Sequence, residues 1–319
     1  MTPRPPRPRL IVRSTHPIAP VEYFSQHPLP KSLNLSGYDA QPILLNTSLY
    51  GLPNRRPRCY VLAIRTESQL WAIRSFDTFW RNVVRAMNDA KRAPPNAEDS
   101  LLPDTHPHVQ KVLSSKLGKS PGGWEPGTVD IHQKHYASKG IRFGTLKPDQ
   151  DTSSSPWYST LSAREKDVCV FTRAFHPGKH AVDVGQSIYR SVHSSEVRGA
   201  IVGPTSLPGS KVWWFSRCRL QTGLESFAMT GFPIVKYPDL IEKYSDEFLA
   251  DLAGNAFSGT IIVALVGILT ALLPWTDSDR EEEEQDSSAD TSDVEQEAGV
   301  SQAMAALQRL KRKPAVAAT

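Results

Sequence analysis

Residues 251–275 read DLAGNAFSGTIIVALVGILTALLPW, the most hydrophobic stretch of this 319-residue chain. From Leu252 to Thr276 no residue is charged. That is long enough to cross a bilayer, for which about 20 apolar residues suffice. The flanks point the other way. Asp246, Glu247 and Asp251 precede the stretch, and Asp277, Asp279 and Glu281 to Glu284 follow it. Neither side offers the Lys/Arg cluster that orients a span. The opening AGNAFSG holds two glycines and an asparagine, a poor start inside lipid. The stretch is either a single span or a buried helix whose partner surface lies elsewhere, and the rest of the chain has to decide.

Composition narrows the choice. The net charge is +4 and hydrophobic residues make up 39%, enough for one large domain or two small ones. The charge is uneven. Residues 276–299 hold 11 acids and one base, which leaves about +14 for the remainder. A basic body of that kind suits a polyanion such as DNA. Cys59, Cys169 and Cys218 stand far apart and form no C-x-x-C, so neither a zinc knuckle nor a disulfide framework is indicated. Residues 1–20 contain no apolar signal region and are rich in Pro and Arg, which disfavours an ordered helix there.

Ala40–Asn46 and Cys59–Arg65 are apolar runs of strand length, and GLPNRRPR (Gly51–Arg58) between them reads as a loop. Thr78–Ala90 has helical spacing, with Phe79, Val83 and Met87 on one face. Residues 91–160 show few apolar runs and read as loop-rich with little core of their own. Ser162 with Glu165 three residues on has the spacing of a capping box at a helix start. Lys211–Arg217 reads as a strand, with Trp213 and Trp214 packed in a core, and Gly223–Phe232 as a short helix. After Trp275 an acidic stretch is disordered by composition. The RLKRKP at Arg309–Pro314 fits either a nuclear localisation signal or a basic helix cap.

Three segments, in order, resemble the C-terminal motifs of the DNA cytosine-5 methyltransferases. In Gly37–Arg65 the loop residues Gly51, Pro53, Arg56 and Arg58 match the family's G-x-P-Q-x-R-x-R, with Asn54 where glutamine is usual. In Arg219–Pro233, Arg219, Thr222 and Glu225 match R-x-L-T-x-x-E, with Gln221 in place of leucine, and Gly231, Phe232 and Pro233 match G-[FY]-P. AGNAF at Ala253–Phe257 resembles the last motif, whose G-N begins a helix bordering the S-adenosylmethionine pocket. The insert between the first two falls where the family keeps its target-recognition region.

The resemblance implies a partial S-adenosylmethionine-dependent methyltransferase (Rossmann-like) α/β fold with an irregular, loop-rich target-recognition region. It makes the apolar stretch a core helix covered on most sides by a sheet, with the membrane unlikely. The implied chemistry flips a cytosine from the duplex, adds a cysteine thiolate at C6, assists at N3 with a glutamate and methylates C5. Arg58 would support the base, with Arg56 as its partner. Gly254, Asn255 and Ala256 would border the cofactor. Arg55, Gln186, Ser187 and Arg190 are candidates to touch DNA.

The rest of that site is not found in the sequence. No cysteine follows a proline, no E-N-V occurs, and no F-x-G-x-G-G loop is present. All three cysteines read as structural. The H-x-x-H of His132 and His135, and His106 with His108, lack the further ligands of a zinc site. Asp183, Ser187 and His193 lack a nucleophile elbow.

The expected organisation is a lead-in (1–35), a partial core with the arginine loop (36–90), a recognition-like region (91–218), the C-terminal motifs and core helix (219–275) and an acidic tail with a basic end (276–319). The chain would be inactive alone and use S-adenosylmethionine only when the catalytic half is supplied. It would act on DNA in the nucleus, and would aggregate, self-associate or need a second chain through its apolar helix. A single-pass membrane protein and a non-catalytic DNA-binding module stay open as alternatives.

Overall fold

The computed structural model describes residues 11–15, 37–65, 75–204, 208–236 and 239–272. The rest of the Pro/Arg-rich lead-in, the acidic tail and the RLKRKP segment lie outside the described residues. In chain order the elements are β1 (Ile11–Thr15), β2 (Tyr38–Asn46), β3 (Pro57–Arg65), α1 (Phe76–Asp89), α2 (Pro107–Lys116), α3 (Thr128–Ser138), α4 (Gln150–Ser154), α5 (Pro156–Ser159) and α6 (Ala163–Phe175). They continue with β4 (Ala181–Asp183), β5 (Ser195–Val197), β6 (Ala200–Val202), β7 (Val212–Trp214), β8 (Arg219–Leu220), α7 (Gly223–Ala228), α8 (Leu240–Lys243), α9 (Asp246–Asn255) and α10 (Gly259–Leu272). The fold is mixed α/β, in two compact units.

The first unit takes its described residues from Met1–Leu45, Pro57–Arg92 and Thr260–Thr319. Its sheet has the order β1-β3-β2. The strand β1 lies within the expected lead-in. It runs antiparallel to β3, with Ile11 opposite Ala63 and Thr15 opposite Cys59. As the middle strand, β3 is buried without interruption from Arg58 to Ile64. That burial explains why its sequence is a continuous apolar run rather than an alternation. On one face Cys59, Val61 and Ala63 pack with Ala40. The helix α1 starts where the Ser75 side chain accepts from the Thr78 N–H, and buries Phe79, Val83 and Met87 as their spacing predicts.

The uncharged stretch is not one helix. The helix α9 ends at Asn255, Ala256 is extended (φ −66°, ψ 149°), and α10 begins at Gly259. Gly254 and Asn255 therefore close a helix instead of opening one. Among the described residues no single helix is long and apolar enough to cross a membrane. Nor is α10 covered on most sides. Ile261, Leu265, Ile268 and Leu269 form one buried stripe, while Val263 and Val266 are 62% and 52% exposed.

The second unit spans Asn46–Arg56 and Ala93–Gly259. The segment expected to be loop-rich carries α2, α3, α4 and α5 and supplies much of the core. Val109, Val112, Leu113, Tyr136, Trp157 and Leu161 pack with Val168, Phe171 and Trp213. These helices are short, and each buries only a few residues, so no window of sequence shows a sustained period. The helix α6 opens with the expected capping box, Ser162 and Glu165 each holding the other's backbone N–H. A three-stranded sheet, β4-β7-β8, places Trp213 and Trp214 fully inside. β5 and β6 form an antiparallel hairpin turned by Arg198 (φ 52°) and Gly199 (φ 80°), the left-handed pair that a tight hairpin favours.

Candidate functional site

The loop from Asn46 to Arg56 is fixed by its own polar side chains. The Asn46 Oδ1 accepts from the backbone N–H of Ser48 and Arg56. The Thr47 hydroxyl donates to the Asn54 carbonyl at 2.6 Å and accepts from the Arg56 N–H at 2.9 Å. Gly203 clamps the outer edge: its N–H donates to the Pro53 carbonyl, and its carbonyl accepts from the Arg55 N–H.

This scaffold aims the Arg56 side chain at the end of α9. Its Nη1 donates to the Ala253 carbonyl at 2.6 Å, and its Nη2 donates to those of Gly254 (2.6 Å) and Ala256 (2.8 Å). The last carbonyls of a helix lack partners within it and carry the negative end of its dipole. A guanidinium, with several donors in a rigid fork, satisfies three at once. Arg56 is 1% exposed and acts as a C-terminal cap. The first and third sequence motifs are thereby joined by direct hydrogen bonds.

Arg58 is different. It is 6% exposed, and among the described residues its Nη1 donates only to the neighbouring Pro57 carbonyl and its Nη2 has no hydrogen-bond partner. Burial pushes the guanidinium pKa down, against the opposite pull of Tyr60. A buried cation with an idle donor is costly and is complementary to an acceptor brought in from outside.

The second motif forms a closed network. Arg219 is 1% exposed and Glu225 is 0% exposed. The arginine donates to both carboxylate oxygens of Glu225, to Asp104 and to the Leu102 and Leu220 carbonyls. Glu225 also accepts from the N–H and hydroxyl of Thr222 and from the Leu102 N–H. This buried pair has its remaining hydrogen bonds made, the condition under which a buried ion pair is tolerable. Its members hold the start of α7 against the segment before α2. Gly231 of the G-F-P lies against the start of α10: a Cβ on Gly259 would sit 2.8 Å from the Gly231 carbonyl.

The predicted DNA-contacting residues lie on two turns. Arg55 is exposed on the arginine loop, while Gln186, Ser187 and Arg190 follow β4. Gln186 and Ser187 are half-buried and Arg190 is exposed. The turn is pinned by Asp183, whose Oδ1 accepts from the N–H groups of Gly185 and Lys211 and whose Oδ2 accepts from the Ser210 hydroxyl. Burial pushes the Asp183 carboxyl up. Asp183 thus acts as an anchor, a role with no signal in sequence.

No cysteine is a ready nucleophile. Cys59 is buried in β3, Cys169 is buried in α6 with its thiol pushed well up by burial, and burial also raises Cys218. A thiol in such surroundings stays protonated and inert. The histidines have other partners: His132 Nδ1 meets Asp167 at 2.5 Å and His108 Nε2 meets Asp246 at 3.0 Å. Among the described residues no group of three could hold a metal.

The three residues expected to border S-adenosylmethionine lie at the end of α9. The Gly254 and Ala256 carbonyls are held by Arg56. Asn255 is exposed, with its Nδ2 donating back to the Asp251 carbonyl.

No family model matches the chain. Over 270 residues it is 24% identical to the DNA (cytosine-5-)-methyltransferase DMT5 of Cryptococcus neoformans var. grubii, covering 76% of this chain and 10% of that protein. The chain thus spans about a tenth of the length of that relative. A looser likeness, too loose to place any residue, is to the crystal structure of S. pombe Dnmt2 methyltransferase, with a TM-score of 0.34 and 15% identity over 82% of this chain and 67% of that one. What the chain carries is a weak sequence similarity to a cytosine-5 DNA methyltransferase.

Proposed function

We propose that this chain is the C-terminal portion of a DNA cytosine-5 methyltransferase-like protein, inactive by itself. The observation that carries the reading is the bond between its first and third motifs. Arg56 reaches Ala253, Gly254 and Ala256 across 197 to 200 residues of sequence. The similarity to a cytosine-5 methyltransferase over most of the chain supports it. Arg56 positions the loop. Arg58 follows two residues later with a buried, idle Nη2 and is the residue that meets the target base, where a fixed donor in a dry site stabilises developing charge. The recognition region and Arg55 contact DNA, and the nucleus is the matching location. The nucleophile, the glutamate and most contacts to S-adenosylmethionine come from another polypeptide segment, which is consistent with the burial of Cys59 and Cys169.

The test is transfer of a labelled methyl group from S-adenosylmethionine to duplex DNA. It is run with the chain alone, and with a family catalytic half carrying the P-C and E-N-V motifs. Transfer is expected only in the second case, and Arg58→Ala lowers it about 100-fold, as removal of one such donor does. Transfer by the chain alone would overturn the proposal. Salt-dependent DNA binding with no transfer under either condition would favour the non-catalytic module.

A further inference from the structure

The turn after β4 carries more than the polar residues read from sequence. Tyr189 is 56% exposed, and its ring stands edge-on to His135, with centroids 4.5 Å apart. Ring contacts continue from there. His135 lies 4.7 Å from Phe171, which stacks on Phe175 at 4.4 Å. The next residue, His176, lies 4.8 Å from His193. Bases flank this row: the exposed Arg190 beside Tyr189, the exposed Lys139 one helical turn beyond His135, and the half-buried Lys179 three residues after His176. The charged groups acting on His135 are Lys139, His132 and His176, and those acting on His193 are His176 and Lys179. All of them are cations or become cations on protonation.

We propose that this surface is a nucleic-acid contact, in which Tyr189 stacks on an unpaired or splayed base while Arg190, Lys139 and Lys179 hold the flanking phosphates. The proposal rests on the DNA reading above and names the site for it. A tyrosine ring more than half exposed, and set nearly at right angles to a supporting histidine ring, is suited to stacking on any base. Interleaved cations suit a polyanion. The histidines add a pH dependence. Burial first, and then like charge, lowers the pKa of His135 and His193. Phosphates laid over the patch oppose the like-charge part, so binding takes up protons and tightens as pH falls below the ordinary histidine value of 6.5.

The experiment measures binding of the full chain to a fluorescent duplex, fully paired or with one mismatched base pair, over a range of salt and pH. Tyr189→Ala is expected to weaken binding to the mismatched duplex about tenfold or more, and Tyr189→Phe to restore it. Arg190→Gln is expected to lower the slope of log affinity against log salt by about one. Replacing Tyr189 or Arg190 with no change in affinity, slope or pH dependence, while the wild type binds, overturns the site alone. Absence of salt-dependent binding by the wild type overturns the DNA reading with it. Tyr189→Phe and Arg190→Gln keep the test open should the alanine variant unfold.

Discussion

Arg56→Ala should destabilise the second unit strongly, although the family pattern would mark this residue only as part of a DNA-modifying site. The substitution removes three charge-assisted hydrogen bonds of 2.6 to 2.8 Å and leaves the Ala253, Gly254 and Ala256 carbonyls without them. Hydrogen bonds to a charged group contribute about 1.5–3 kcal/mol each, a nominal ~5–9 kcal/mol for three. Two effects reduce this. Deleting the guanidinium also removes the cost of burying its charge, and the half-exposed Ala256 end of the turn can take up water. A net loss of about 2–4 kcal/mol remains, or about 6–12 °C in melting temperature for a unit of this size. The backbone bonds from Arg56 to Thr47 and Asn46 persist in the alanine variant, so the loop should stay near its place. The contrast is Arg58→Met. Among the described residues its guanidinium donates only to Pro57, so a volume-matched apolar side chain should be neutral or stabilising by about 1–2 kcal/mol. Melts of both variants, followed by far-ultraviolet circular dichroism of the whole chain beside tryptophan fluorescence from the buried Trp157, Trp213 and Trp214 of the second unit, decide the matter. Equal shifts for the two, or an Arg56→Ala shift worth less than about 0.5 kcal/mol, would refute the capping argument.

Gly223→Ala should prevent folding of the second unit or cost about 3 kcal/mol or more, because its Cβ would lie 1.9 Å from the Asp246 carbonyl oxygen; a normal melt would contradict the close approach of α7 and α9. Burial, with His176 and Lys179, pushes His193 down to about 4. The unfolded chain therefore binds more protons than the folded one between about pH 6.5 and 4. Stability is then full above that window and is lost as pH falls through it; urea titrations at several pH values should show this, with a flatter profile for His193→Gln. Val263→Glu with Val266→Glu should convert an associating chain into a monodisperse one on sizing, since these side chains are the open part of an otherwise apolar helix. A wild-type chain that already elutes as a monomer would contradict the expectation of a partner for that face.

The parts legible in sequence were those whose signals are local. The cap of α6 is a four-residue pattern, and Ser162 with Glu165 forms it. The period of Phe79, Val83 and Met87 survives because α1 buries a single stripe. The runs of β2 and β3 needed no more than composition. What escaped depends on distant partners. Nothing near Pro107 or Thr128 announces helices, because Val109 and Tyr136 become core only beside Phe171 and Trp213. The strand β1 hides in a Pro/Arg-rich segment, since its identity comes from pairing with β3. Gly254–Asn255 resembled a helix start, but the chain's own geometry makes it an end, capped from 200 residues away. Arg56 and Arg58 look alike in the pattern. Only their surroundings separate a cap from a buried cation with an idle nitrogen.

The backbone passes between the two compact units at residues 45/46, 56/57, 92/93 and 259/260. A single protease nick would therefore release neither one. An expression fragment trimmed to residues 93–259 would discard the short insert that pairs with Gly203 and supplies the guanidinium at the end of α9. Anyone wishing to isolate the second unit would have to graft residues 46–56 back in, by a covalent splice or as a separate peptide.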